Sequence, residues 1–114
     1  MLAGMETRSR DYSVVDSQEK AETRGEGKLE VLYLFPLEFG GKEIPQNTLY
    51  VPIGIAAIKQ QIDGMIADLV KARAIREYRA IQEYKGDSFI PSKIKITTSH
   101  PEKPGGLNPV INIW

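Results

Sequence analysis

Two hydrophobic periods follow one another in this chain, and together they restrict what it can fold into. From Ile53 to Ala72, the residues Ile55, Ile58, Ile62, Ile66, Leu69 and Val70 recur three or four apart, the spacing of one helix face. Residues 92–98 and 110–114 instead alternate apolar and polar at a spacing of two, as half-buried strands do. Together they predict an α+β domain, with a single amphipathic helix packed on one face of a mostly antiparallel sheet of about four to five strands. Lys59, Asp63 and Asp68 then take the polar side of that helix, opposite Ile58 and Ile62.

The remaining elements follow from turn chemistry and local composition. Residues 1–27 carry six acidic and four basic side chains with only scattered aliphatics, which predicts a flexible N-terminal tail before a single domain at 28–114. Within that tail Leu2, Tyr12, Val14 and Val15 are the side chains able to dock. Leu29 to Phe35 is apolar on both parities and reads as a central strand covered on both faces, limited by Pro36. Gly40, Gly41 and the Pro45–Asn47 segment supply a turn into a short strand at Thr48–Val51.

Pro52 and Gly54 mark the helix start, without an acidic or hydroxyl N-cap beside them. Gly64 costs about 1 kcal/mol relative to alanine inside a helix and suggests a close approach to the sheet. Lys71–Tyr84 lacks glycine and proline, so the helix stripe competes there with a strand; ordinary helix lengths favour a helix ending near Arg73 and a strand at 75–84. Lys85–Ser88 is a polar turn. Ile94 and Ile96 then oppose Lys93, Lys95 and Thr97, and Ile111 and Ile113 repeat the pattern after a loop at 99–108.

Composition removes several functions. The absence of cysteine excludes a disulfide framework, a thiolate zinc site and a cysteine nucleophile, and one histidine is too few for an imidazole-based metal site. No cofactor or metal is expected. Fifteen basic and fifteen acidic side chains give zero formal net charge, so the field that draws basic proteins onto nucleic acid is missing. Met1–Arg10 lacks the apolar run of a signal peptide, and no stretch reaches the roughly 18 apolar residues of a membrane span. A cytoplasmic protein without membrane contact is the expectation.

Three classes of site remain. Ser88, Asp87 and His100 are the residue types of a hydrolytic triad, but no nucleophile-elbow glycines surround Ser88, and the alternative is a turn serine and a solvated loop histidine. Glu38 with Glu43, or Glu83 with Asp87, are the carboxylate pairs an enzyme would draw on. Arg73, Arg76 and Arg79 form a basic run that would face phosphates on a helix and divide between two faces on a strand. Tyr78, Tyr84, Phe89 and Trp114, with Lys85 and Asp87 among them, are the residue types that anchor protein interfaces and their polar rims. Trp114 either joins that patch or packs against Leu32 or Leu34 on the sheet's second face.

The strings YLFPLEFGG, LYVPIGIAAIKQQIDG, EYKGDSFIPSKI and HPEKPGG…NPVINIW run from Tyr33 to Trp114. This stretch resembles small bacterial proteins encoded beside polymorphic toxins, whose genes are candidate immunity proteins. The resemblance implies a protein that blocks a cognate toxin domain and transfers no catalytic or binding residue. Such proteins often oppose nuclease toxins with an acidic face, and the balanced charge here departs from that pattern. The leading expectation is a non-enzymatic protein-binding module of the immunity type, contacting its partner through Tyr78, Tyr84, Lys85, Asp87, Phe89 and Trp114. The alternatives are a small enzyme using carboxylate or serine chemistry and a nucleic-acid binder using the Arg73–Arg79 run.

Overall fold

A computed structural model of the chain describes residues 12, 15, 17, 19, 20, 29–103 and 106–114. The expected tail at 1–27 lies largely outside the described residues. The elements run β1 (Leu29–Tyr33), β2 (Thr48–Pro52), α1 (Ile55–Lys71), β3 (Glu77–Tyr84), β4 (Pro91–Ser99) and β5 (Val110–Asn112). The class is α+β, and among the described residues there is one long helix and every strand pairing is antiparallel. The strands divide into a pair, β1-β2, and a triplet, β3-β4-β5, where the sequence suggested one larger sheet.

The division has a local cause. β1 pairs only with β2, and Val31 is 43% exposed, so it is not the central, doubly covered strand that its apolar run implied. Past Tyr33 the backbone turns instead of extending. The Phe35 N–H donates to Asn47 Oδ1 at 2.6 Å, and Asn47 Nδ2 donates back to the Phe35 carbonyl at 2.9 Å and to that of Lys42 at 3.0 Å. One side-chain amide thus takes the place of a ladder rung and gathers the 34–47 connection around itself. Gly41 is required there, because a Cβ would fall on the Phe35 carbonyl oxygen. The apolar residues that lengthened the predicted strand serve this turn, where the Phe35 and Phe39 rings meet edge to face at 6.4 Å.

In the triplet the predicted alternation holds. Ile94, Ile96 and Thr98 point inward from β4, and Lys95 and Thr97 point out. Ile94 and Ile96 meet Leu32, Leu49 and Val51 of the pair, Ile111 of β5 and Ile66 of α1 in one core. The β3–β4 register shifts between Glu83 and Tyr84, leaving Ser92 as the extra residue of a bulge, with its hydroxyl donating to the Glu83 carbonyl at 3.2 Å.

α1 starts and stops with devices that lie outside the helix pattern. Its N-cap is Gly54, and the missing cap acceptor arrives from another element: Glu30 Oε2 on β1 accepts the N–H groups of Gly54 at 2.8 Å and Ala56 at 3.1 Å. At the other end Arg73 takes the left-handed conformation, φ 63°, usually given to glycine. The Arg73 N–H bonds to the Val70 carbonyl and the Ala74 N–H to that of Leu69, a Schellman closure, and Lys103 Nζ donates to the Arg73 carbonyl at 2.9 Å. β3 begins soon after, within the 75–84 range read as a strand.

The helix is also rotated relative to the expectation. Ile66 is fully buried, and Ile55 and Ile62 pack on the core, but Ile58 is 46% exposed and Val70 is exposed too. Lys59 and Asp63, assigned to the wet side, are buried instead. Gly64 does not touch the sheet: it is exposed, and an added Cβ meets nothing within 4 Å.

Candidate functional site

Rotation of α1 places two opposite charges in the interior, so they need partners there. Lys59 Nζ donates to Asp63 Oδ2 at 2.7 Å and to Tyr78 Oη at 3.1 Å, and the Tyr78 hydroxyl donates to Asp63 Oδ1 at 2.8 Å. The Lys59 and Asp63 side chains retain 3% and 6% of their exposure. Phe35 and Phe39 stand edge-on to the Tyr78 ring at 5.6 and 5.5 Å, so the triangle is walled by aromatic edges. Burial pushes the Lys59 pKa down, opposed by the Asp63 carboxylate and, more weakly, by Glu38. Burial also drives the Tyr78 phenol far up, reinforced by its bond to Asp63. The three polar side chains satisfy one another's hydrogen bonds.

A cleft of about 260 Å³ opens beside this triangle, lined by Val31, Tyr33, Leu37, Glu38, Lys59 and Asp63 among others. Lysine offers three donors, and two are used here.

The other end of the molecule is aromatic. Trp114 donates its indole N–H to the Ile90 carbonyl at 3.1 Å, stands edge-on to Tyr12 at 5.7 Å, and has Lys85 Nζ 4.9 Å from its ring centroid. Tyr12, Val15 and Ile90 are buried in this cluster, with Leu29, Tyr50, Phe89 and Trp114 packed around them. Trp114 thus packs against neither Leu32 nor Leu34, which belong to the main core. Phe89 and Tyr50 lie 6.0 Å apart and, with Ile44, Pro45 and Thr48, line a solvent-open trough of about 510 Å³.

Of the six residues expected at an interface, Lys85, Phe89 and Trp114 converge on this end. Tyr84, 43% exposed, and the exposed Asp87 adjoin them in the chain at the β3–β4 turn. Tyr78 belongs to the buried triangle, with its hydroxyl committed to Asp63. The outer face of the triplet carries a short apolar row, Ile81 and Val110 on either side of Lys95, which pairs with Glu83 at 2.8 Å.

Ser88, Asp87 and His100 do not assemble. The first two precede β4 and the histidine follows it, so nine strand residues, roughly 30 Å at the usual rise, intervene. Ser88 Oγ donates to the Tyr12 carbonyl at 2.7 Å, and His100 Nδ1 accepts the Glu102 N–H at 3.0 Å. The arginine run is spread over a turn, the residue before β3 and an outward position on β3. Among the described residues no group of three or more histidine or acidic side chains is placed to hold a metal ion, and no helix is long and apolar enough to cross a membrane.

Sequence reading missed Lys59, Asp63 and Tyr50 as site residues, and offered Ser88 only as a nucleophile or a turn serine. The four-residue spacing of Lys59 and Asp63 does signal a pair, but a helical stripe sorts residues by polarity and assigns a pair to water. Tyr50 left no signal beyond a strand tyrosine. No protein-family model, curated protein or solved structure matches this chain.

Proposed function

We propose that this chain is a protein-binding module whose recognition surface is the aromatic end, with Phe89 and Trp114 as anchors and Tyr84, Lys85 and Asp87 as the rim. The observation that carries this reading is the open trough floored by Tyr50 and Phe89, an apolar recess with charged and polar groups beside it. A recess of this composition suits a partner's apolar side chain, and anchors seated in such recesses carry most of an interface's energy. Glu43 and Gln46 border the trough and Lys85 covers the Trp114 ring, so the rim offers both signs of charge. Recognition by shape and apolar contact agrees with the zero net charge of the chain.

The resemblance of residues 33–114 to proteins encoded beside polymorphic toxins makes a toxin domain the proposed partner, and occlusion the proposed mode of action. The test is calorimetric titration of the purified protein with the product of the neighbouring gene. Phe89→Ala and Trp114→Ala are each expected to weaken binding by about 2 kcal/mol, roughly 30-fold. Wild-type affinity in both variants would remove the aromatic end from the interface.

A further inference from the structure

Two residues of the N-terminal segment, Tyr12 and Val15, are held at the aromatic end by backbone and side-chain contacts. The Val15 N–H donates to the Tyr12 carbonyl at 3.0 Å. The carbonyls of Tyr12 and Val15 are both received by Ser88 and Phe89. Ser88 Oγ donates to Tyr12 O at 2.7 Å, with Val15 O at 3.4 Å, and the Phe89 N–H donates to Val15 O at 2.5 Å. The receiving hydroxyl is itself buried and fixed, since it accepts the Ile90 N–H at 3.1 Å. The two side chains then enter the cluster built on the fully buried Ile90, with Tyr12 edge-on to Trp114 and only 8% exposed, and Val15 6% exposed.

This is how a receptor holds a peptide: backbone carbonyls at two positions fix the register, and two side chains three apart fill the recess and set the specificity. We infer that the surface formed by Ser88, Phe89, Ile90 and Trp114 is a binding site for a peptide turn with an aromatic residue followed, three positions on, by a branched aliphatic one. The chain fills this site with its own Tyr12 and Val15, and a partner displaying the same turn competes with them. The inference rests on the aromatic end as the recognition surface and adds the chemistry of the segment recognised there. It also makes the chain's own segment a cover that a partner has to displace.

The test uses the full-length chain, because a tethered ligand outcompetes a free one until its own contacts are weakened. In Tyr12→Ala/Val15→Ala, the emission of Trp114, the single tryptophan, is expected to shift to the red as the indole loses its edge contact and gains water. A synthetic peptide of residues 11–20 should reverse that shift saturably at micromolar to millimolar concentration. The same peptide with alanine at both positions should not, and wild-type protein should be unresponsive to either. An unshifted emission, or a shift that the peptide fails to reverse, overturns the inference. Should the double variant not fold, Tyr12→Ala alone is titrated in the same way; if that also unfolds, the segment is an integral part of the core and the inference falls. Neither failure touches the neighbouring-gene titration, which is scored on Phe89 and Trp114 against a separate protein.

Discussion

The two ends of this molecule handle polar groups in opposite ways. Under α1, Lys59, Asp63 and Tyr78 are withdrawn from water and spend their hydrogen bonds on one another. At the aromatic end, Lys85 stays exposed over the half-buried Trp114, Phe89 borders an open trough, and the buried Ser88 turns its hydroxyl toward the N-terminal segment. One region is closed by mutual satisfaction and the other completes itself only with an added segment. A buried ion pair is poor evidence of net stability, because desolvation opposes its attraction, but it is strong evidence that neither member can be lost alone. Exposed aromatic and apolar surface is the converse: it is tolerant of substitution in the free protein and sensitive in a complex.

The largest expected effect breaks the closed end. Asp63→Ala should destabilise the protein by about 3–5 kcal/mol in denaturant unfolding, because it strands the Lys59 ammonium in the core. Lys59→Met/Asp63→Leu, which removes both charges together, should recover most of that loss. The exposed pair Glu83–Lys95, at 2.8 Å but with both side chains close to half exposed, is the internal control. Glu83→Ala should leave stability nearly unchanged, because solvent screens the exposed pair. Equal costs for Asp63→Ala and Glu83→Ala would mean that water reaches the triangle and that the contrast between the two ends is false.

Tyr78→Phe sharpens the same contrast by deleting a hydroxyl and leaving the ring among Phe35 and Phe39. At neutral pH it should cost about 1–3 kcal/mol, the penalty for unpairing buried polar partners. The folded pKa of Tyr78 lies above its ordinary value of 10.0. Its stabilising contribution is therefore fully present below pH 10 and declines as the pH rises further, since the unfolded chain releases that proton first. The gap between wild type and Tyr78→Phe should accordingly narrow in unfolding titrations above pH 10. A constant gap across that range would show a phenol titrating as it does in water.

How far the sequence discloses this arrangement depends on the range of the interaction. The alternation of Ile94 and Ile96 is legible because β4 has one wet face, and position in the strand alone decides burial. Leu29–Phe35 misleads because its apolar run serves two purposes, a strand as far as Tyr33 and a turn packed by Phe35, and the Asn47 amide that separates them lies twelve residues downstream of Phe35. The Glu30 cap is invisible for the same reason, since it reaches Gly54 from 24 residues upstream. Periodicity places Lys59 and Asp63 outward because it knows polarity but not pairing. At the aromatic end, residue type alone pointed to Lys85, Phe89 and Trp114, yet nothing local indicates that Tyr78 faces the core while the exposed Tyr84 lies beyond the register shift at the end of the same strand.

The smallest effect tests the side of α1 that faces away from the triangle. Gly64 lies between Asp63 and Met65, and the methyl group of an alanine there meets no atom within 4 Å. No described neighbour opposes the intrinsic preference of a helix interior for alanine over glycine. Gly64→Ala should therefore raise stability by about 1 kcal/mol, equivalent to a few degrees in the thermal midpoint of a domain this size. Gly64 and the adjoining Met65 are both exposed, so the sign of the change reports whether this part of the helix is free in solution. A loss of stability would mean that the added methyl group is pressed against another molecule. The helix face would then be a second candidate contact surface, beside the one proposed at the aromatic end.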